Sequence, residues 1–120
     1  MIQRLSKKAL QQILSGQIRE ETTCVIKFYA NKCPYCHSLS EPYKKIADEY
    51  LDLHFFAFNI HDYPQAEEVI EFSGVPTIVL VKTGSIRPKI RVIPEPPPGD
   101  SNKKTWYHIE DIKNFINKEK

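Results

Sequence analysis

Two cysteines three positions apart, Cys33 and Cys36, stand between a segment typical of a strand and a segment typical of a helix. Residues 22–30 before them are dense in β-branched and aromatic side chains, as in a strand buried on both faces. Apolar residues then recur at helical spacing from Leu39 to Tyr50. The cysteine pair is therefore predicted where a core strand passes into the first turn of a helix.

Hydrophobic periodicity predicts further helices and strands on both sides of this junction. The alternation of strand, helix, strand and helix, followed by a hairpin, indicates the α/β class. The first predicted helix is capped by Ser6 and ended by Gly16, and a strand over 53–60 and a helix from Pro64 to Gly74, with Val69 on its apolar face, follow the cysteine pair. Strands are then predicted over 76–81 and 86–93, joined at Thr83-Gly84, with Ile86 on the apolar side of the second strand. A last helix is predicted over 108–116.

The segment 94–100 contains four prolines and cannot pair in a central sheet, which predicts an extended surface loop over about 94–104. We interpret this loop as a stiff surface connection, with a reshaped substrate groove as the alternative. The whole chain, residues 1–120, is expected to form a single domain.

The formal net charge of +2 comes without a long block of like charge, so neither nucleic acid nor an anionic membrane is an expected partner. The first residues lack the apolar block of a signal peptide or membrane span, so the cytoplasm is the expected location. The protein is also expected to be a monomer.

Two neighbouring thiols suit disulfide exchange, in which one attacks a disulfide and the other releases the mixed intermediate. A helix N-terminus favours negative charge on the first cysteine, so Cys33 is the candidate nucleophile and Cys36 the resolving thiol. Pro34 fits the first helical position, and Lys32 either lowers the pKa of Cys33 or is simply a solvated surface lysine.

The same spacing also serves zinc, for which Cys24, His37, His54 and His61 are the further candidate ligands. None of these forms a second close pair, and we expect no metal. Cys24 is most simply a small buried residue of the first core strand, with regulatory reactivity as the alternative.

The segment from Phe28 to Cys36, Phe-Tyr-Ala-Asn-Lys-Cys-Pro-Tyr-Cys, closely resembles the active-site segment of the thioredoxin superfamily. Residues 74–77, Gly-Val-Pro-Thr, resemble the family's cis-proline signature. The resemblance implies a thioredoxin fold, a central mixed sheet flanked by helices, with Pro76 in a cis bond facing the dithiol. It also implies no cofactor beyond the Cys33–Cys36 disulfide, and a substrate-binding surface at Pro34, Tyr35, Val75, Pro76 and Thr77.

Two departures from the family pattern affect the chemistry. Lys27 stands in the first core strand where the family usually carries a buried acid, and it is either a base near Cys36 or an edge-facing, solvated lysine. Pro34-Tyr35 is the dipeptide of glutaredoxins, yet their glutathione-binding segment is not evident after Pro76.

The resemblance predicts a thiol–disulfide oxidoreductase that acts as a reductase on protein disulfides. Its own disulfide would be reduced again by a thioredoxin-reductase-like enzyme or a small thiol. A disulfide oxidase or isomerase and a glutaredoxin-like enzyme are the alternatives within redox chemistry. A non-catalytic binding module with the same fold is the alternative from another class.

Overall fold

Residues 2–120, the part of the chain that the computed structural model describes, form a five-stranded mixed sheet flanked by four α-helices. The strands are β1 (Gln3–Arg4), β2 (Thr23–Tyr29), β3 (His54–Asn59), β4 (Thr77–Lys82) and β5 (Lys89–Val92). The helices are α1 (Lys7–Leu14), α2 (Pro34–Glu49), α3 (Ala66–Ile70) and α4 (Ile109–Glu119). The sheet order is β1-β3-β2-β4-β5, in which β1 and β2 run parallel to β3, and β4 is antiparallel to its neighbours β2 and β5. The predicted α/β class is confirmed.

Alternating side chains of β2 divide the core between the two faces of the sheet, because successive residues of a strand point in opposite directions. Val25 belongs to a cluster with residues of α2 and α4, whereas Ile26 and Phe28 belong to a cluster with residues of α1 and α3. Lys27 has the same parity as Val25 and therefore faces α2. The side chain of Lys27 is therefore on the face of the sheet that packs against the helix containing Cys36.

Both helices around the first core strand begin as the sequence predicts. The Ser6 hydroxyl caps α1 by accepting a hydrogen bond from the Ala9 backbone N–H at 3.1 Å. Pro34 occupies the first turn of α2, where the missing N–H has no intrahelical partner to lose. The helix continues past Pro42 to Glu49.

The bounds of two predicted elements are wrong, and so is the burial of one apolar residue in each prediction. Strand β5 begins at Lys89 instead of Ile86, which is 76% exposed. The carbonyl of Ile86 lies against Gly16, where a Cβ would have no room, so this backbone faces α1 and its side chain points outward. Helix α3 ends at Ile70 because Glu71 takes a left-handed conformation with φ of 72°. Within this helix Ala66 and Ile70 are buried, whereas Val69 is 55% exposed.

The edge strand β1 has two exposed residues, too few for a periodic pattern to reveal. No helix within residues 2–120 is both long enough and apolar enough to span a lipid bilayer.

Candidate active site

Cys33 and Cys36 lie where β2 passes into α2, as the sequence predicts. They are joined by a disulfide across a Cα–Cα distance of 5.2 Å. Cys33 occupies the N-cap position, and its Sγ accepts a hydrogen bond from the Cys36 backbone N–H at 3.1 Å. That N–H and the helix dipole both stabilise negative charge on the Cys33 sulfur once the pair is reduced.

The exposure of the two cysteines differs in the direction that their expected roles require. Cys33 retains 8% of its accessible surface and Cys36 only 2%. Cys33 is therefore the more accessible of the two residues.

The Val75–Pro76 peptide bond is cis, which confirms the expectation for Pro76. The Val75 carbonyl oxygen lies 3.8 Å from the Cys33 Sγ, so this turn faces the dithiol. Thr77 holds the turn closed, since its hydroxyl donates a 2.7 Å hydrogen bond to the Gly74 carbonyl. Pro76 presents no N–H to the sulfurs.

A polar network holds the residues before Cys33. The Asn59 side-chain amide donates to the Asn31 Oδ1 at 3.1 Å, and the His37 Nε2 lies 2.6 Å from the Asn31 carbonyl oxygen. Neither asparagine was singled out from the sequence, because isolated asparagines carry no spacing signal. This arrangement turns His37 toward the loop that precedes the cysteines.

Lys27 is buried, with 6% of its surface exposed, so its interpretation as an edge-facing solvated lysine is wrong. Its Nζ lies 3.5 Å from the Ser40 Oγ and 5.2 Å from the centroid of the Tyr43 ring. Ser40 in turn donates to the Cys36 carbonyl at 3.2 Å. Burial lowers the pKa of Lys27 below that of an ordinary lysine, because a charged ammonium loses hydration there.

Lys27 and Cys36 line the same small cavity, of about 210 Å³, on the α2 side of the sheet. His37 and Ser40 lie on its α2 wall, and Tyr29 on its β2 wall. This chain therefore has an amine beside Cys36, at the strand position where the thioredoxin superfamily usually carries an acid.

The two remaining candidates lie outside this cavity. Lys32 is exposed, with no hydrogen bond or ion pair within the described part of the chain. Cys24 is a free, buried cysteine, and burial raises its pKa, which favours the inert thiol. Among residues 2–120, no group of three or more His, Cys, Asp and Glu side chains is arranged to hold a metal ion.

The segment between β5 and α4 reaches the site through the aromatic residues that follow its exposed proline-rich loop. Trp106 packs edge to face on Tyr35, with ring centroids 5.5 Å apart. The buried Tyr107 hydroxyl donates to the Pro76 carbonyl at 3.0 Å. Burial, together with the nearby charge of Glu95, raises the pKa of Tyr107 to about 12, so it remains a donor at neutral pH.

Trp106, Tyr107 and Glu95 are the site-lining residues that sequence reasoning missed. The sequence does contain one indication of this contact. Trp106 is the single tryptophan and stands beside a tyrosine shortly after the proline-rich segment. An aromatic pair after a polar loop usually indicates an anchor to the body of the protein.

Comparison with known proteins finds the same family that the active-site segment resembles. A family model described as Thioredoxin matches residues 2–95. The chain is 29% identical over 79 residues to a thioredoxin of Mycoplasma genitalium, covering 66% of this chain and 74% of that protein. It is 30% identical over 70 residues to a thioredoxin of Acidithiobacillus ferridurans, covering 58% of this chain and 65% of that protein.

The fold is also found among solved structures. The crystal structure of the thioredoxin Mala s 13 from Malassezia sympodialis superposes with a TM-score of 0.67, at 17% identity, over 98% of this chain and 91% of that one. At this level of identity the match concerns the fold.

A dithiol at a helix N-terminus, facing a cis-proline turn on this mixed sheet, defines the chain as a thiol–disulfide oxidoreductase. The match to the family model covers most of the sequence. The chain belongs to the thioredoxin family.

Proposed function

We propose that the protein reduces disulfide bonds in protein substrates, with Cys33 as nucleophile and Cys36 as resolving thiol. The observation that carries the proposal is the position of the Cys33 sulfur, at the N-cap of α2 and 3.8 Å from the Val75 carbonyl oxygen. A sulfur held there is stabilised as a thiolate and faces a turn whose backbone can hold an extended peptide.

The reaction proceeds in two exchanges. The Cys33 thiolate attacks one sulfur of the substrate disulfide, whose S–S bond breaks and releases the first substrate thiolate. The Cys36 thiolate then attacks the Cys33 sulfur, which releases the second substrate thiolate and forms the Cys33–Cys36 disulfide. Two electrons pass from the protein to the substrate, and both substrate thiolates take up protons.

A substrate surface around the dithiol supports this sequence. Val75 carries the backbone groups to pair with an extended chain, Thr77 closes the turn, and Pro76 keeps a competing N–H away from the sulfurs. Pro34 and Tyr35 form the adjoining face of α2. Lys32, exposed beside Cys33 in sequence, adds a positive charge that further favours the thiolate.

The oxidised protein must be reduced again by a dithiol or small-thiol donor, such as a thioredoxin-reductase-like enzyme. A free buried Cys24 and a chain with three cysteines suit a reducing compartment such as the cytoplasm. We place the working unit in a monomeric single domain over 1–120, which needs no cofactor beyond its own cysteines.

The equilibrium reduction potential in glutathione buffers tests the direction of the reaction. We expect a potential near the thioredoxin end of the range, about −270 mV. A potential near the strongly oxidising end, about −120 mV, would contradict the reductase and favour the oxidase that the Pro34-Tyr35 dipeptide also suits.

Lys27 is proposed as the base that takes the proton from the Cys36 thiol before the second exchange. Its burial lowers its pKa, so more of the neutral amine is available than in an exposed lysine. The cavity shared with Cys36 is large enough for a bridging water, and the rings of Tyr29 and Tyr43, 5.9 Å and 5.2 Å from Nζ, stabilise the resulting ammonium.

Replacing Lys27 with methionine is expected to slow the second exchange by about 10- to 100-fold at neutral pH. In the original protein the rate falls as pH drops through the lowered pKa of Lys27, because a protonated amine cannot accept a proton. In Lys27→Met the rate follows the ionisation of the Cys36 thiol alone. Stopped-flow release of the second coloured thiolate from an aromatic disulfide, recorded across pH, measures this rate.

Two variants control this experiment. Lys44→Met removes an exposed lysine of α2 and should leave the profile unchanged. His37 also lines the cavity, so the comparison is repeated in His37→Gln, where the effect of Lys27→Met should persist. An identical pH profile with and without Lys27 would rule out its role as the base.

A further inference from the structure

The segment between β5 and α4 ends in a tight loop that fixes the position of Trp106. Asn102 and Trp106 exchange two backbone hydrogen bonds of 2.9 Å, and the Asn102 Oδ1 accepts from the N–H groups of Lys104 and Thr105. Trp106 has a φ of 67°, a conformation that costs energy for a bulky residue. The loop therefore holds the indole against Tyr35 despite a local cost.

A cavity of about 200 Å³ opens beside this indole. Val75 and Pro76 line one side of it, Tyr35 and Trp106 provide aromatic walls, and Glu95 supplies a carboxylate. Glu95 is exposed and has no ion-pair partner within residues 2–120. The site therefore combines two aromatic rings with one available negative charge.

Such a combination favours a positively charged side chain. Aromatic faces attract ammonium and guanidinium groups, and arginine also pairs with a carboxylate through parallel hydrogen bonds. An acidic side chain would be repelled by Glu95, and a neutral one would gain only the aromatic contact. Charge complementarity thus selects among the side chains that a substrate peptide can offer.

The distance from the dithiol limits where that side chain stands in the substrate. Val75 both lines the cavity and presents its carbonyl oxygen 3.8 Å from the Cys33 sulfur. An extended chain advances about 3.3 Å per residue, so a side chain entering the cavity belongs to a residue within two positions of the attacked cysteine.

We propose that this cavity is a specificity subsite that selects disulfide substrates carrying arginine or lysine within two residues of the attacked cysteine. The inference rests on the proposed reductase function and names its preferred substrate class. It assigns Glu95 and Trp106 to substrate choice, separately from the chemistry of Cys33 and Cys36.

Two synthetic peptide disulfides test the inference, identical except for arginine or its uncharged isostere citrulline two residues from the cysteine. The pre-reduced protein is mixed with each peptide, and the second-order rate of peptide thiol release is measured. We expect the arginine peptide to react about fivefold faster, the scale of one exposed cation–π contact plus one exposed ion pair. Glu95→Gln should reduce this ratio by at least half, and Glu95→Gln combined with Trp106→Leu should bring it to about one.

Glu68→Gln removes an exposed carboxylate on α3, away from the cavity, and should keep the original ratio. A ratio near one in the original protein, or an unchanged ratio in Glu95→Gln, would overturn the subsite while leaving the reductase function intact. Failure of the reduced protein to react with either peptide would overturn the reductase function and the subsite with it.

Discussion

Replacing Cys33 with serine is expected to abolish protein-disulfide reduction, with a loss on the order of a thousandfold or more. A serine hydroxyl at the N-cap of α2 can accept the same hydrogen bond from the Cys36 N–H, so the fold is preserved. It cannot form the mixed disulfide that starts the exchange. Insulin reduction by dithiothreitol, with and without the protein, measures the loss.

Cys24→Ala provides the matched control for this result, because it also removes one thiol. Cys24 lies in β2, is buried and takes no part in the disulfide. We expect this variant to keep its activity. If the original protein reduces insulin no faster than Cys33→Ser, and neither exceeds the rate with dithiothreitol alone, the dithiol is not catalytic and the non-catalytic binding module is favoured.

Replacing Phe28 with alanine is expected to cost about 3–5 kcal/mol of folding free energy. Phe28 is fully buried, and its ring packs against those of Phe58 and Phe72, with centroids 5.6 Å and 4.9 Å away. Removing the ring leaves a cavity walled by Phe58 of β3 and by Phe72, which follows α3. Urea unfolding, followed by tryptophan fluorescence, measures the change in free energy.

Leu51→Ala is the control for this loss of packing, since Leu51 is 89% exposed. Its effect should remain within about 0.5 kcal/mol. Phe28 also pairs with Phe58 of β3 and Thr77 of β4, so its loss loosens the strand that leads to the dithiol. A cost below about 1 kcal/mol for Phe28→Ala would contradict this account of the core.

The elements that carry the chemistry were the most predictable from the sequence. Both β2 and α2 have long, regular patterns, and their junction is marked by Pro34 after Cys33. The cis bond before Pro76 followed from the family resemblance. Periodicity succeeds here because these elements are buried on well-defined faces.

Burial was predicted wrongly for apolar residues that no other segment of the chain covers. Val69 and Ile86 continue apolar patterns in the sequence, yet both are exposed. The buried residues of α3 are Ala66 and Ile70, and the backbone at Ile86 faces Gly16. The hydrophobic character of a residue does not reveal whether another segment of the chain packs over its side chain. Such positions are decided by contacts between distant segments.

The surroundings of the dithiol depend on the same long-range contacts. Lys27 in a buried strand allowed two opposite interpretations, and its burial against the ring of Tyr43 and Ser40 on α2 rules out the edge-facing, solvated one. The approach of Trp106 to Tyr35 joins residues 71 positions apart through a loop with a positive φ. No local pattern encodes that approach.

The most direct test of the central claim is the identity of the trapped intermediate in Cys36→Ser. Without the resolving thiol, a substrate peptide disulfide should remain attached to the protein as a stable mixed disulfide. Mass spectrometry of the digested adduct should place the peptide on Cys33, and a reducing agent should release it. An adduct on Cys24, or no adduct with a reactive peptide disulfide, would contradict the assignment of Cys33 as nucleophile and Cys36 as resolving thiol.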